Sequence, residues 1–397
     1  MYNIAGMVGS FYFFLPIFFL IVFAEYFYSL YSKIPLYSRR QTLANFACGV
    51  LQLILVLIFA KYFLVFYSEI QSSVGLFHFD LSWKTWVLAI FLVDFVYYWN
   101  HRLHHQIPFF WGLHAVHHQS PEINFSNGLR PAVLSFFTTA PSYMVLALFG
   151  IPGSIFFIVQ TGQTSLQIFA HTRMPLRFGF IEKIFVFPSD HRVHHGTQSQ
   201  YLNKNYGAFF IFWDHIFGTY KAEGEVPEVG VIDQMQEYNP IKSLFHPFFG
   251  IVSAARKKND FLSQMMVWIW PAETSDNVRP LGFKQVEMSG LEFIMSVLLM
   301  CSSLLWASWE IYFEKSSGVQ ALPGALCSFS LIVALSMNLD MKKGASLLSL
   351  ILVSLTTAFA SIHLPSGPLQ ILLISFGFVF MGLTGYSFFK ATEKIRI

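Results

Sequence analysis

The sequence predicts an all-α integral membrane protein with about nine transmembrane helices and a histidine-rich helical core on its cytoplasmic face. Three observations predict it. The 397 residues are 54% hydrophobic and 12% charged, whereas soluble domains carry roughly 25% charged residues. Apolar runs long enough to cross a bilayer, which takes roughly 20 helical residues, recur along the chain. The stretch HRLHHQIPFFWGLHAVHH, from His101 to His118, crowds six histidines together, and its HxxHH spacing returns in DHRVHH, from Asp190 to His195.

In chain order the expected spans are Phe11 to Tyr31, Leu43 to Tyr67 and Trp83 to Trp99, then a hairpin of Ala132 to Gly150 and Pro152 to Ala170. Four follow: Leu291 to Phe313, Leu322 to Met337, Ala345 to His363 and Gln370 to Phe389. The N-terminus has neither the basic start nor the small-residue cleavage site of a secretory signal peptide, so the first run is expected to stay as an anchor. Cys48, Cys301 and Cys327 all lie in apolar runs and read as small core residues, with no disulfide framework implied. No basic run is dense enough to suggest nucleic acid.

Lysine and arginine set the orientation, because short loops rich in them stay cytoplasmic. Lys33, Arg39 and Arg40 follow the first span, while Ser68 to Ser82 has no lysine or arginine. Continued alternation puts His101 to Arg130 and Arg173 to Gly290 inside. Lys342, Lys343, Lys390, Lys394 and Arg396 agree, leaving the N-terminus outside and the C-terminus inside.

Three regions are expected: membrane anchor spans at 1–82, a histidine-box core at 83–288, and a four-span membrane module at 289–397. The anchor shows no clustered polar chemistry, and the tail lies apart from the histidines. Within the core, Asn239 to Phe261 mixes apolar clusters with Lys242, Arg256, Lys257 and Lys258. That suits either a segment lying on the membrane surface or an ordinary amphipathic helix.

The histidines carry the chemistry. Helical residues three and four apart share a face, so His114, His117 and His118 point one way, as do His191, His194 and His195, and His101 pairs with His105. Packing neutral and charged imidazoles together without a cation costs desolvation and repulsion; a bound metal requires the neutral ring and removes that cost. A structural zinc takes four ligands. The two triplets, the pair and His171, at the inner end of the fifth span, supply nine, which suits two metals with four or five each. Imidazole favours zinc, copper, iron or nickel. His104 reads as a bystander or outer neighbour of the site, His215 as structural, and His78, His246 and His363 as interface or core residues.

Outer partners follow from the need to orient each ring through its second nitrogen. Asp94 lies two helical turns before His101 in an apolar run, where an unpaired carboxylate is costly, so it is expected to bind a ligand histidine. Asp190 and Ser189 sit where a helix cap before His191 belongs. Glu122, Asn124 and Arg130 either line the site or hold its loop.

At these residues the chain resembles the fatty acid hydroxylase and sterol desaturase superfamily of membrane histidine-box di-iron oxygenases. The likeness runs through DFVYYWNHRLHH, WGLHAVHHQSPEINFSNGLR, FAHTRMP, PSDHRVHHGTQSQYLNKNYG and FIFWDHIFGTYKAE, in the family's order. It implies two irons, replaceable by zinc on purification, held by His101, His105, His114, His117, His118, His171, His191, His194 and His195. It implies O2-dependent hydroxylation of a membrane lipid, next to the ether oxygen of an alkylglycerol, giving an aldehyde and a glycerol derivative, with tetrahydrobiopterin as reductant. Two departures stand out. Gln106 replaces a glutamate after the first box, a role that could pass to Glu122, and Gln167 stands where some relatives place a histidine. The alternative within the class is a sterol or fatty acyl hydroxylase or desaturase. The alternative outside it, a histidine-rich metal transporter, predicts ionisable residues along the spans, whereas the spans other than the third are nearly free of acids and histidines. The membrane expected is the endoplasmic reticulum in a eukaryote and the inner membrane in a bacterium.

Overall fold

The computed structural model describes residues 4–232, 238–270, 288–312, 322–340, 345–364 and 367–393. Among them the chain is mostly helical, and extended pairing is limited to two isolated bridges, Phe185 with Phe210 and Gly196 with Val229. The helices are α1 Ile4–Ser32, α2 Arg39–Val74, α3 Trp83–Gln106, α4 Pro108–His118, α5 Phe136–Ser142, α6 Met144–Phe149, α7 Gly153–Ile168 and α8 Pro188–His194. They continue as α9 Phe212–Ile216, α10 Pro240–Arg256, α11 Phe261–Ile269, α12 Gly290–Tyr312, α13 Leu322–Leu339, α14 Ala345–His363 and α15 Pro368–Glu393. Helix stands at every expected span, but the fourth is interrupted at Tyr143, between α5 and α6. By length and composition, three described helices can cross a membrane: Arg39–Val74, Gly290–Ala307 and Leu322–Leu339.

Local sequence explains the turns that matter. Proline tolerates the first helical position and pushes the residue before it out of the helical region. Ile107 is accordingly extended, at φ −102° and ψ 121°, and Pro108 opens α4 directly after α3. The chain folds back so that the end of α3 faces α4. Pro188 opens α8 after extended Phe187 in the same way, and the Asp190 carboxylate accepts from the Phe187 N–H at 3.1 Å. That is the helix-start role expected of Asp190.

Hydrogen bonds sort the helix ends into two levels. At one, Arg40 at the start of α2 donates to the Leu339 carbonyl at the end of α13 (2.9 Å) and lies 3.9 Å from Glu292 near the start of α12. At the other, the Leu76 N–H after α2 donates to the Leu148 carbonyl at the end of α6 (2.8 Å). Between them run two apolar clusters that share α2. One joins Leu43, Leu51, Val116, Leu299, Leu331 and Phe380, so the tail packs into the same core as Val116 of the histidine helix α4. The other joins Tyr67, Val93, Leu146 and Ile155. Tail helices approach closely through small residues, as membrane helices do: the Ser303 and Ser328 hydroxyls each donate to the other's backbone carbonyl, at 2.9 and 2.5 Å.

One polar group breaks the expectation for the anchor. Glu25 of α1 is fully buried, accepts from the Phe125 N–H at 2.8 Å, and is bonded by the Tyr37 and Thr172 hydroxyls. The first helix is thereby clipped to the loops on either side of the histidine site.

Candidate metal centre

The fold brings all nine expected histidines together and divides them. His101, His105, His114, His118 and His194 form one group; His117, His171, His191 and His195 form the other. Within each, one nitrogen per ring lies within 4.8 Å of the rest. The groups abut, with the His118 and His195 ring centroids 4.2 Å apart. The triplets therefore do not serve one centre each: His117 leaves His114 and His118, and His194 leaves His191 and His195.

Backbone carbonyls fix the rings. His101 Nδ1 donates to Tyr206 O (2.8 Å), His117 to Arg130 O (2.7 Å), His171 to Gln167 O (2.9 Å) and His194 to Lys204 O (3.1 Å). In a neutral ring whose Nδ1 carries the proton, Nε2 is a bare lone pair. The Nε2 atoms converge: His101 to His114 and His114 to His118 at 3.2 Å, His117 to His171 at 3.4 Å, His171 to His191 at 2.9 Å, His191 to His195 at 3.1 Å. For His117 and His171, whose Nδ1 protons are both committed to carbonyls, no hydrogen is left for the contact. Ligands about 2.0–2.1 Å from a shared cation would be separated by about 2.9 Å at right angles and about 3.4 Å at the tetrahedral angle, and the spacings seen run from 2.9 to 3.4 Å. His105 Nε2 and His194 Nε2 are buried with no hydrogen-bond partner, as ligand atoms awaiting a cation would be.

Protonation agrees with this geometry. Burial pushes the His117 ring down to about 4 and His194 to about 3. It holds His114, His118, His171, His191 and His195 well below the ordinary imidazole value, with neighbouring rings adding to the effect. The rings are kept neutral, the form a metal binds. The donor set fits metal ions.

The supporting residues are distributed differently from expectation. Asp94 binds no histidine. Its carboxylate accepts from the Phe209 and Phe210 N–H groups (2.9 and 3.1 Å), Trp213 Nε1 (2.9 Å) and Gln163 Nε2 (3.0 Å), tying α3 to α7 and α9. Asp214, which sequence reasoning passed over, accepts from the Tyr206 and Gly207 N–H groups at 2.7 and 2.8 Å and from the Thr219 hydroxyl at 2.7 Å. The two acids thus hold the loop whose Lys204 and Tyr206 carbonyls orient one ring each. Asn205, at φ 54°, adds bonds to Asp190 O and Lys221 O.

Arg130 both accepts from His117 through its carbonyl and, through its guanidinium, donates to Val116 O (2.6 Å) and Ser243 Oγ (3.0 Å). Arg192 pairs with Glu223 at 2.6 Å and donates to Thr172 O (2.9 Å), beside His171. Glu122 lies outside both groups, accepting from the Ser38 N–H (3.1 Å) and Asn124 Nδ2 (3.4 Å). Asn124 itself donates to Leu36 O (2.6 Å) and accepts from Ser126: both are loop residues. Gln167 turns its side chain to the Tyr97 hydroxyl (3.0 Å).

His104 belongs to neither group. It bonds Asn100 O and Thr138 Oγ1, each at 2.8 Å, and lines a groove of about 310 Å³ with Phe95, Trp99, Leu103 and Phe110. His215 stacks on Tyr220 with centroids 3.9 Å apart. His78 is exposed and His246 half-buried. The side chain of His363 lies outside the described residues.

The described residues thus combine a helical scaffold, three helices long and apolar enough to cross a membrane, and two adjoining all-imidazole groups that could each hold a metal ion. Residues 86–219, which include every histidine of both groups, match the fatty acid hydroxylase family. The chain is similar to the alkylglycerol monooxygenase of Homo sapiens, 40% identical over 176 residues, which are 44% of this chain and 39% of that one. It is similar to the alkylglycerol monooxygenase of Caenorhabditis elegans, 38% identical over 175 residues, 44% of this chain and 34% of that one. The ornithine lipid hydroxylase OlsE of Rhizobium tropici is 30% identical over 135 residues, 34% of this chain and 41% of that one. The matched part thus spans only between a third and about two-fifths of these relatives. No solved structure matches the chain.

Proposed function

We propose that the protein is an O2-dependent di-iron monooxygenase of a membrane lipid, acting next to the ether oxygen of alkylglycerols. The observation that carries it is the five-plus-four convergence of neutral imidazoles inside a fatty acid hydroxylase domain whose relatives include alkylglycerol monooxygenases. His101, His105, His114, His118 and His194 would hold one iron, and His117, His171, His191 and His195 the other. When bound, the metal pair supplies O2 activation and the oxidising equivalents for C–H hydroxylation.

The chain's own residues do the rest. Carbonyls of Gln167, Arg130, Lys204 and Tyr206 keep the proton on Nδ1 of four rings, leaving Nε2 to coordinate. Burial of the rings excludes water from the centre, which suits chemistry in which the cofactor reacts and the protein positions the lipid. In balance, the ether R–CH2–O–R′ takes one oxygen atom from O2, the second leaves as water with two protons and two electrons from a reductant, and the hemiacetal collapses to the aldehyde and the freed glycerol hydroxyl. Tetrahydrobiopterin is the reductant proposed.

The reading includes nine spans, with 1–82 as anchor, 83–288 as catalytic core and 289–397 as a membrane module. The Lys and Arg distribution supports a cytoplasmic site, and the two levels of helix ends agree with the alternation: Arg40, Glu292 and Leu339 meet at one level, Leu76 and Leu148 at the other. The lipid chain would stay in the bilayer while its head and the reductant approach from water.

The test is metal identity and stoichiometry in anaerobically purified protein, followed by O2, a pterin and an alkylglycerol. Two irons and aldehyde are expected. Two irons with oxidised acyl lipid or sterol and no aldehyde would move the substrate to another lipid class, which the likeness to a lipid hydroxylase makes the next choice. Fewer than two metals, with no O2 consumption, would sink the oxygenase.

A further inference from the structure

The geometry points to a second feature, away from the histidines: α10 and α11 form a hairpin docked in the surface of an anionic bilayer, with apolar side chains among the lipid tails and a basic turn against lipid phosphate. The inference uses the membrane reading of the long helices, and neither the metal nor the reaction.

The first observation is level. α10 begins where two membrane-length helices end. Asn239 caps it, accepting from the Ile241 and Lys242 N–H groups at 3.0 Å, and its amide donates to Ser336 O (3.3 Å) and Asp340 (3.0 Å). Lys242 pairs with Asp340 at 2.7 Å. Asp340 directly follows α13, and Leu339 at its end is bonded by Arg40 at the start of α2. The hairpin is therefore tethered at the boundary those two helices define.

The second observation is the side it leaves uncovered. Ser243, Leu244 and Ala255 of α10 are buried, and Phe248 and Trp268 turn inward, their rings within 6.2 and 6.3 Å of Phe109 on α4. Outward stand Phe249, Phe261, Leu262, Ile269 and Trp270, with Phe261 74% exposed and Trp270 68%. Large apolar side chains exposed in such number on two successive helices mark a membrane or protein contact. Third, the turn between the helices carries Arg256, Lys257 and Lys258, all exposed. Among the described residues of the turn one carboxylate opposes them, Asp260, which accepts from the Ser263 N–H (2.9 Å) at the start of α11. Basic residues beside an apolar side are the pattern of helices that lie in the headgroup plane, and anionic lipid attracts each such cation. Level and charge together select a bilayer over a protein as the occupant.

Full-length protein in nanodiscs tests this. In a Cys301→Ser background, Phe261→Cys or Trp270→Cys carries an environment-sensitive fluorophore, and Glu225→Cys, on an exposed loop, is the control. Lipids bearing a nitroxide high on the acyl chain should quench the two hairpin labels several-fold more than the control, and more in phosphatidylglycerol-containing discs than in phosphatidylcholine alone. Changing Arg256, Lys257 and Lys258 together to glutamine should abolish that lipid dependence. If a substitution on the apolar side unfolds the hairpin, a label at Lys257→Cys gives the same reading. Iodide quenching at the hairpin equal to the control would overturn the inference, as would equal nitroxide quenching in neutral and anionic discs. Shielding from both quenchers would mean that protein covers the hairpin, which overturns it equally.

Discussion

His117 and His194 exchange places: each is the fourth residue of an HxxHH box, and each joins the group to which the other two histidines of its own box do not belong. Helix geometry explains the exchange. Residues i and i+4 lie within about 40° of one another around the helix, while i+3 and i+4 are about 100° apart. A helix lying between two centres therefore gives i and i+4 to one and i+3 to the other. The two boxes are reciprocal, so each centre is built from both.

That reciprocity predicts paired defects. His114→Ala and His194→Ala lie in different boxes but remove ligands from the same group, and should empty the same site. His117→Ala and His195→Ala should empty the other. Metal counting on each purified variant is expected to show one ion lost first from the affected site, with activity abolished in all four. Two ions retained in either member of a pair would contradict the grouping.

Asp94 predicts a stability defect without a primary metal defect. Asp94→Ala leaves three backbone or indole N–H groups and the Gln163 amide without their acceptor, at roughly 1–3 kcal/mol for each buried group left unsatisfied. A loss of roughly 3 kcal/mol or more is expected, read as a lower Tm in detergent. The fraction still folded at low temperature should keep its metal, because no ring bonds this carboxylate directly and Asp214 still holds the Tyr206 end of the loop. Metal loss at unchanged Tm would instead assign Asp94 to a histidine.

How far the sequence alone reveals this site can be argued from these same residues. The nine histidines were legible because imidazole clustering is costly without a cation and the spacing is helical. Their partition was not, since it depends on where α4 and α8 lie relative to each other, and that is set by Pro108, Pro188 and the loop at Lys204 to Gly207. Asp94 was legible as a costly acid in an apolar run, but its partners lie 115 or more residues away in the case of Phe209, Phe210 and Trp213. Glu25 offered the same signal, a carboxylate inside an expected span, and the rule applied to Asp94 would have found it. Helix at the expected apolar runs was legible from hydropathy; the break at Tyr143 was not, because that segment is apolar on both sides of it.

Gly112 predicts a packing test of how the hairpin meets α4. A Cβ placed there would stand 2.6 Å from Phe248 Cε1. Gly112→Ala therefore forces the Phe248 ring aside, at a cost typical of overpacking, about 1–3 kcal/mol. Gly112→Ala combined with Phe248→Leu should recover much of the loss, as coupled neighbours do. Additive destabilisation in a double-mutant cycle would mean that α10 does not rest on Gly112.

Acidification should act on the histidine groups in a defined direction. His117 and His194 have folded values of about 4 and about 3 against an ordinary 6.5, so between those values the unfolded chain binds protons that the folded chain refuses. Stability then rises with pH across that window. The contribution is fully present above about 6.5 and is lost as pH falls toward the folded values; bound cations extend it further, since they also demand neutral rings. In the metal-free protein the denaturant midpoint should be lower at pH 5 than at pH 7. In the loaded protein metal release should begin below the pH at which the metal-free protein first weakens. A midpoint that stays flat from pH 7 to pH 4 would mean that the rings are hydrated or already charged, and an all-imidazole centre would not survive that result.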